Sequence, residues 1–115
     1  MEEETPKVAG PGSVVLDIGE DIGAAVVTAP RSMEGHEVEI RAAGAAWDGR
    51  HVAFHLRETA DGLINAAVFP QLVQGRWEIR PVLRSPQDGS TVPIVVVGGQ
   101  VTKVAVPTWQ KAGSP

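Results

Sequence analysis

The sequence predicts an all-β protein, a single antiparallel β-sandwich of about seven to eight strands. Three observations carry that expectation. Apolar and polar residues alternate with a period of two along most of the chain. Glycine-centred breaks separate these runs, Asp61-Gly62 and Gly98-Gly99 above all. No convincing helical period interrupts them.

Residues 1–12 are expected to form a disordered tail, because Glu2, Glu3 and Glu4 repel one another and prolines and glycines follow. Residues 13–107 are assigned to the sandwich and 108–115 to a flexible C-terminal tail. The first strand is expected at Ser13–Ile18, with Val14, Leu16 and Ile18 on one face. Ala24–Ala29 follows after a short turn. In His36–Ala42, Val38 and Ile40 point inward while Glu37, Glu39 and Arg41 point to solvent. His51–Thr59 reads as one strand, with Val52, Phe54 and Leu56 inward and His51, Ala53, His55 and Arg57 opposite. Leu63–Phe69 comes next. In Arg76–Leu83, Trp77 and Ile79 face the core, and Arg76, Glu78 and Arg80 face out. Their charges should pair with the Glu37/Glu39/Arg41 stripe if the strands are neighbours.

Val92–Val97 and Gln100–Val106 complete the set. Asp61-Gly62 suits a type I′ hairpin, which needs positive φ at both central residues, and Gly98-Gly99 is expected to join the last two strands likewise. The run "PIVVVGG", Pro93–Gly99, should be paired or covered, since a free apolar edge templates aggregation. Leu16, Val38, Ile40, Phe54, Leu56, Phe69, Trp77 and Ile79 form the expected core, each worth roughly 1.5–3 kcal/mol when fully buried.

Composition narrows the function classes. A chain of 115 residues suggests one domain. The formal charge is -4 and the lysines, Lys7, Lys103 and Lys111, are scattered, which argues against nucleic-acid binding. Without cysteine there is no disulfide, thiolate metal site or cysteine nucleophile, which fits a reducing compartment. The acidic start is unlike a signal peptide, and no apolar run approaches the ~18 residues of a membrane span. A cytoplasmic protein with no membrane contact is expected.

The stretch "AAVFPQLVQGRWEIRPV", Ala66–Val82, resembles the recurrent hairpin of transthyretin-like (prealbumin-like) sandwich modules, including carboxypeptidase-regulatory-like and collagen-adhesin B-type repeats. Phe69, Leu72, Gly75 and Trp77 match the pattern, with Trp where Tyr is usual. The resemblance implies that Leu72 plugs the end of the sandwich, Gly75 takes a left-handed turn and Trp77 enters the core. "VVVGGQVTKVAV", Val95–Val106, resembles the closing hairpin of such modules. These modules serve many roles, so the resemblance implies architecture and not activity. The isopeptide bond of the adhesin repeats is not expected, the only asparagine being Asn65 in mid-strand. In composition the chain also resembles short actinobacterial proteins of unassigned role.

Few residues look like chemistry. "LDIGEDIGAAVV", Leu16–Val27, resembles the first phosphate loop of the sugar-kinase/actin superfamily. That superfamily needs two large lobes, and Glu20 and Asp21 would repel phosphate. A plain hairpin is expected there, with a weak cation site at Asp17, Glu20 and Asp21 as the alternative. His51 and His55 on one strand would share a face about 13 Å apart at ~3.3 Å per residue, too far to chelate one ion. Trp47, beside Asp48-Gly49, is a candidate sugar platform. No serine lies in a nucleophile motif. The resulting reading is a non-catalytic binding or interaction module with an unknown protein partner, monomeric or weakly dimeric. It has no cofactor, metal site or catalytic residue. The alternative is a cation- or carbohydrate-binding domain using Asp17, Glu20, Asp21, Trp47, His51 and His55. A small hydrolase with an unrecognised site is a remote third.

Overall fold

The computed structural model describes residues 18–82 and 91–109. Within them the alternating runs become eight strands: β1 (Ile22–Thr28), β2 (Glu37–Ala42), β3 (His51–Ala53), β4 (His55–Thr59), β5 (Gly62–Val73), β6 (Gly75–Pro81), β7 (Val92–Val96) and β8 (Val101–Ala105). One 3-10 turn, Arg31–Met33, lies between β1 and β2. The strands form two four-stranded sheets, ordered β4-β5-β1-β8 and β3-β2-β6-β7. Neighbours are antiparallel except β1 and β8, which are parallel. The protein is an all-β sandwich.

The core lies between the sheets, as the alternation requires. Ala25, Val27, Ala67 and Phe69 from one sheet share a cluster with Val38, Ile40, Ile79, Ile94 and Val96 from the other. Of the expected core, Val38, Ile40, Phe54, Phe69 and Ile79 are fully buried, as is Leu72. Trp77 is half-buried against the edge of the cluster, and Leu56 is half-buried outside it. Leu16 and the strand expected at 13–18 fall outside the described residues, apart from Ile18, which is in no strand. Met33 and Trp109 join the core although the periodicity did not single them out. Trp109, assigned to the flexible tail, packs edge-to-face on Phe54 with ring centroids 6.3 Å apart.

Two sequence expectations fail for one reason: the chain changes sheets where alternation alone shows none of it. His51–Thr59 is not one strand. β3 pairs with β2 and β4 with β5, so the chain crosses between layers at Phe54. The alternation itself survives the crossing: Leu56 pairs with Asn65, on the face of β5 that carries Ala67 and Phe69, and Arg57 pairs with Ile64 on the opposite face, where it is 6% exposed. Arg57 Nε donates to the Ala66 carbonyl at 2.9 Å, and burial lowers its pKa from the usual guanidinium range. Nor do the last two strands form a hairpin, since β7 and β8 belong to opposite sheets and residues 97–100 turn the corner between them. "PIVVVGG" therefore runs along a sheet edge, with Val95 58% exposed. The edge is blunted by Pro93, which has no N–H to offer, and by Thr102, whose hydroxyl donates to the Val95 carbonyl at 2.8 Å.

The β4–β5 hairpin exists, but its turn is not type I′. Thr59 pairs with Gly62, and neither Ala60 nor Asp61 has positive φ; only Gly62 does. Ala60 carries a Cβ that disfavours the left-handed region, so the reversal is held by Thr59 instead. Its hydroxyl accepts from Asp61 N at 3.1 Å and donates to the Gly62 carbonyl at 2.7 Å.

The corner at 97–100 rests on the turn at 19–22. Gly99 N donates to the Ile22 carbonyl at 2.8 Å, and Ala24 N to the Gln100 carbonyl at 3.0 Å. A Cβ on Gly98 would overlap the Glu20 carbonyl, and one on Gly23 would overlap the Val97 carbonyl. Gly98 is outside the positive-φ region, so replacing it forces no residue into the left-handed region. Gly98→Ala should lower stability by about 1–3 kcal/mol through this overpacking. Urea denaturation of the variant measures it, and an unchanged midpoint would mean that the two turns do not touch.

Candidate functional site

β2 and β6 are paired in the centre of their sheet, with Glu39 opposite Arg80 and Arg41 opposite Glu78. Alternation sends all four side chains to the outer face, where opposite charges meet. Arg41 Nε donates to Glu78 Oε1 at 2.7 Å and Arg80 Nε to Glu39 Oε1 at 2.8 Å. This is the pairing that the two charged stripes predict. His51, on the adjoining β3, adds a third contact, its Nε2 lying 3.3 Å from Glu37 Oε2. Its Nδ1 lies 2.7 Å from the Gly49 carbonyl.

The segment after β2 folds back over this ladder. Arg41 Nη1 donates to the Ala45 carbonyl at 3.0 Å, which fixes the start of the return. Asp48 Oδ1 accepts from Arg50 N at 3.0 Å and shapes the turn before β3. Between them Trp47 lies against both arginines, with the Arg41 and Arg80 guanidinium carbons 4.3 and 4.0 Å from its ring centroid. Each such contact is worth about 0.5–1 kcal/mol at an exposed site. Trp47 is half-buried as a result. A sugar stacking on this ring would compete with the arginines for its π-face. Arg50 runs the other way, donating from Nη2 to the Gln71 carbonyl at 2.8 Å and lying 5.7 Å from the Trp77 ring. Trp77 Nε1 donates to the Val73 carbonyl at 2.8 Å.

The candidate residues therefore divide. Trp47 and His51 come together on the outer face of the β3-β2-β6-β7 sheet. His55 lies on β4 in the other sheet, so the two histidines do not share a strand or a face. Glu20 and Asp21 are the exposed centre of a tight turn at one end of the sandwich, closed by reciprocal bonds between Gly19 and Ile22 at 2.8 and 2.9 Å. Asp17 lies outside the described residues. Among the described residues no three His, Asp or Glu side chains gather where they could hold a metal ion. Arg41, Glu78 and Arg80 were legible as a charged stripe, but the return of Trp47 onto them was not.

Compared with protein-family models, curated proteins and solved structures, the chain finds no match. Among the described residues no helix is long and apolar enough to cross a membrane.

Two outcomes follow from this geometry. Glu20 is the one described non-glycine residue at positive φ, 53°. Glu20→Gly should raise stability by about 0.5–1 kcal/mol, the left-handed penalty less the added chain entropy, as measured by thermal unfolding. A double-mutant cycle on Glu39→Ala and Arg80→Ala should give a coupling of about 0.2–1 kcal/mol that shrinks in high salt.

Proposed function

We propose that this protein is a non-catalytic β-sandwich interaction module that docks another protein on the outer face of the β3-β2-β6-β7 sheet. The observation that carries the reading is Trp47 held against Arg41 and Arg80 above a closed charge ladder. Tryptophan and arginine are the residue types that most often dominate binding energy at protein interfaces. Val95 and Pro93, opposite Arg76 and Glu78 on β7, extend the same surface with exposed apolar area. The Glu39 and Glu78 carboxylates are each engaged by an arginine of the same ladder.

Membership among transthyretin-like modules is part of the proposal. Its support is the Phe69, Leu72, Gly75 pattern: both apolar side chains are buried, and Gly75 has φ of 142°. A cytoplasmic setting is supported by the cysteine-free composition.

The test is comparative affinity capture from cells that make the protein, using the native chain and Trp47→Ala. A specific partner should fall at least about tenfold with the variant, the loss expected for an interface tryptophan. Amide spectra of both chains establish that the fold is retained. Equal recovery of the same proteins by both would exclude this face as the docking surface.

A further inference from the structure

A hollow of about 220 Å³ opens beside the Arg31–Met33 turn, between the end of β1 and the β4–β5 hairpin. Ala29, Leu56, Leu63 and Ile64 give it apolar walls, and Asn65 and Arg31 are its polar members with Thr28. Asn65 is only 4% exposed. Its Nδ2 donates to the Pro30 carbonyl at 2.9 Å, and its main-chain carbonyl accepts from Ala29 N at 3.0 Å. Its Oδ1 is buried and has no donor. Flipping the amide gives no relief, because that would set Oδ1 against the Pro30 carbonyl. A buried acceptor left unmet costs its full desolvation, so it calls for a donor from outside the fold. Arg31 is exposed, and its guanidinium has no ion pair among the described residues.

We infer that this hollow binds an N-acylated apolar amino-acid unit. The apolar side chain lies on Leu56, Leu63 and Ile64, the amide N–H donates to Asn65 Oδ1, and the carboxylate pairs with Arg31. The volume suits a single residue and is below that of ordinary drug-sized sites. Asn65 Oδ1 lies beneath the water-accessible surface, so the ligand must shift the rim to reach it. Leu63, which lines the hollow, is 52% exposed. The same chemical unit occurs as a free N-acyl amino acid and as the C-terminal residue of a polypeptide.

Amide shift mapping on the full chain tests the assignment, with N-acetyl-leucine as the probe. Saturable shifts are expected at residues 28–31, 56 and 63–65, with roughly millimolar affinity for so small a ligand. N-acetyl-leucinamide, which lacks the carboxylate, should bind at least about fivefold more weakly, a loss comparable to one charge-assisted hydrogen bond. The same loss is expected for N-acetyl-N-methyl-leucine, which lacks the N–H, and for Arg31→Gln with the original probe. A tripeptide ending in leucine that binds more tightly than N-acetyl-leucine identifies a polypeptide C-terminus as the source, and equal binding identifies the free acid. Trp47→Ala should leave all of these values unchanged, which separates this site from the docking face. No saturable shift, equal binding of the acid, amide and N-methyl probes, or an ordered water alone on Asn65 Oδ1 overturns the inference.

Discussion

The sandwich depends on how the chain passes between its layers at Phe54. The main chain of Phe54 still belongs to the first layer: its N–H donates to the His36 carbonyl, and its carbonyl accepts from Gly35, each at 2.8 Å. The next residue, His55, already pairs with Ala66 in the opposite sheet. A change of layer within one peptide unit opens a seam at the margin of the core, and the Phe54 side chain fills it. Its ring is fully buried and meets Trp109 edge-to-face at an interplanar angle of 83°. A phenylalanine in such a position is worth about 3–5 kcal/mol against alanine, a large share of a small domain's stability.

The rest of the core shows why so few large side chains suffice. β1 and β5 supply Ala25, Val27 and Ala67 to the inner face, which are small. Facing sheets lie roughly 10 Å apart, so the remaining volume must come from elsewhere. Phe69, Ile40 and Ile79 fill the centre, while Met33, Phe54 and Trp109 fill the margin. Met33 comes from the 3-10 turn and Trp109 from the segment after β8, so the connections close the core as much as the strands do. The second crossing, at 97–100, uses the opposite device. There the layers are joined by a main-chain contact so close that Gly98 and Gly23 cannot carry a Cβ. One corner is filled by a ring and the other by the absence of a side chain.

This contrast also explains what was legible in the sequence. Period-two patterning reports which side of a strand is buried, so Val38, Ile40, Phe69 and Ile79, and the outward Glu39, Arg41, Glu78 and Arg80, were readable one by one. It does not report which sheet a strand joins. His51–Thr59 keeps its alternation through Phe54, and only the pairing partners reveal that His51–Ala53 and His55–Thr59 belong to different sheets. Gly98-Gly99 looks like a hairpin tip because glycine marks any tight reversal, whether it joins neighbours or layers. The candidate site divides in the same way. The ladder follows from two charged stripes, whereas the return of Trp47 needs the Arg41 contact with the Ala45 carbonyl, which has no local signature. Asn65 gave no signal either, because an unmet acceptor is a property of its neighbours and not of its own residue type.

The polar groups of this fold differ in what their neighbours leave them to do, and that difference separates surface from site. On the outer face of the β3-β2-β6-β7 sheet, Glu39 and Glu78 are each met by an arginine, and both arginines also lie against Trp47. Such a network needs nothing further from outside. It offers a partner a fixed indole and two oriented guanidinium groups, and docking onto a preset surface loses less side-chain entropy than ordering a loose one. The exposed turn at Glu20 and Asp21 has carboxylates but no third ligand among the described residues, so a cation there would keep most of its water. Asn65 is the opposite of the ladder: a buried amide with one half bonded and one half unmet. A satisfied network suits recognition by shape and charge, while an unsatisfied buried atom suits recognition of one particular donor. The two features lie on different sheets and use different elements, so one can be altered without the other.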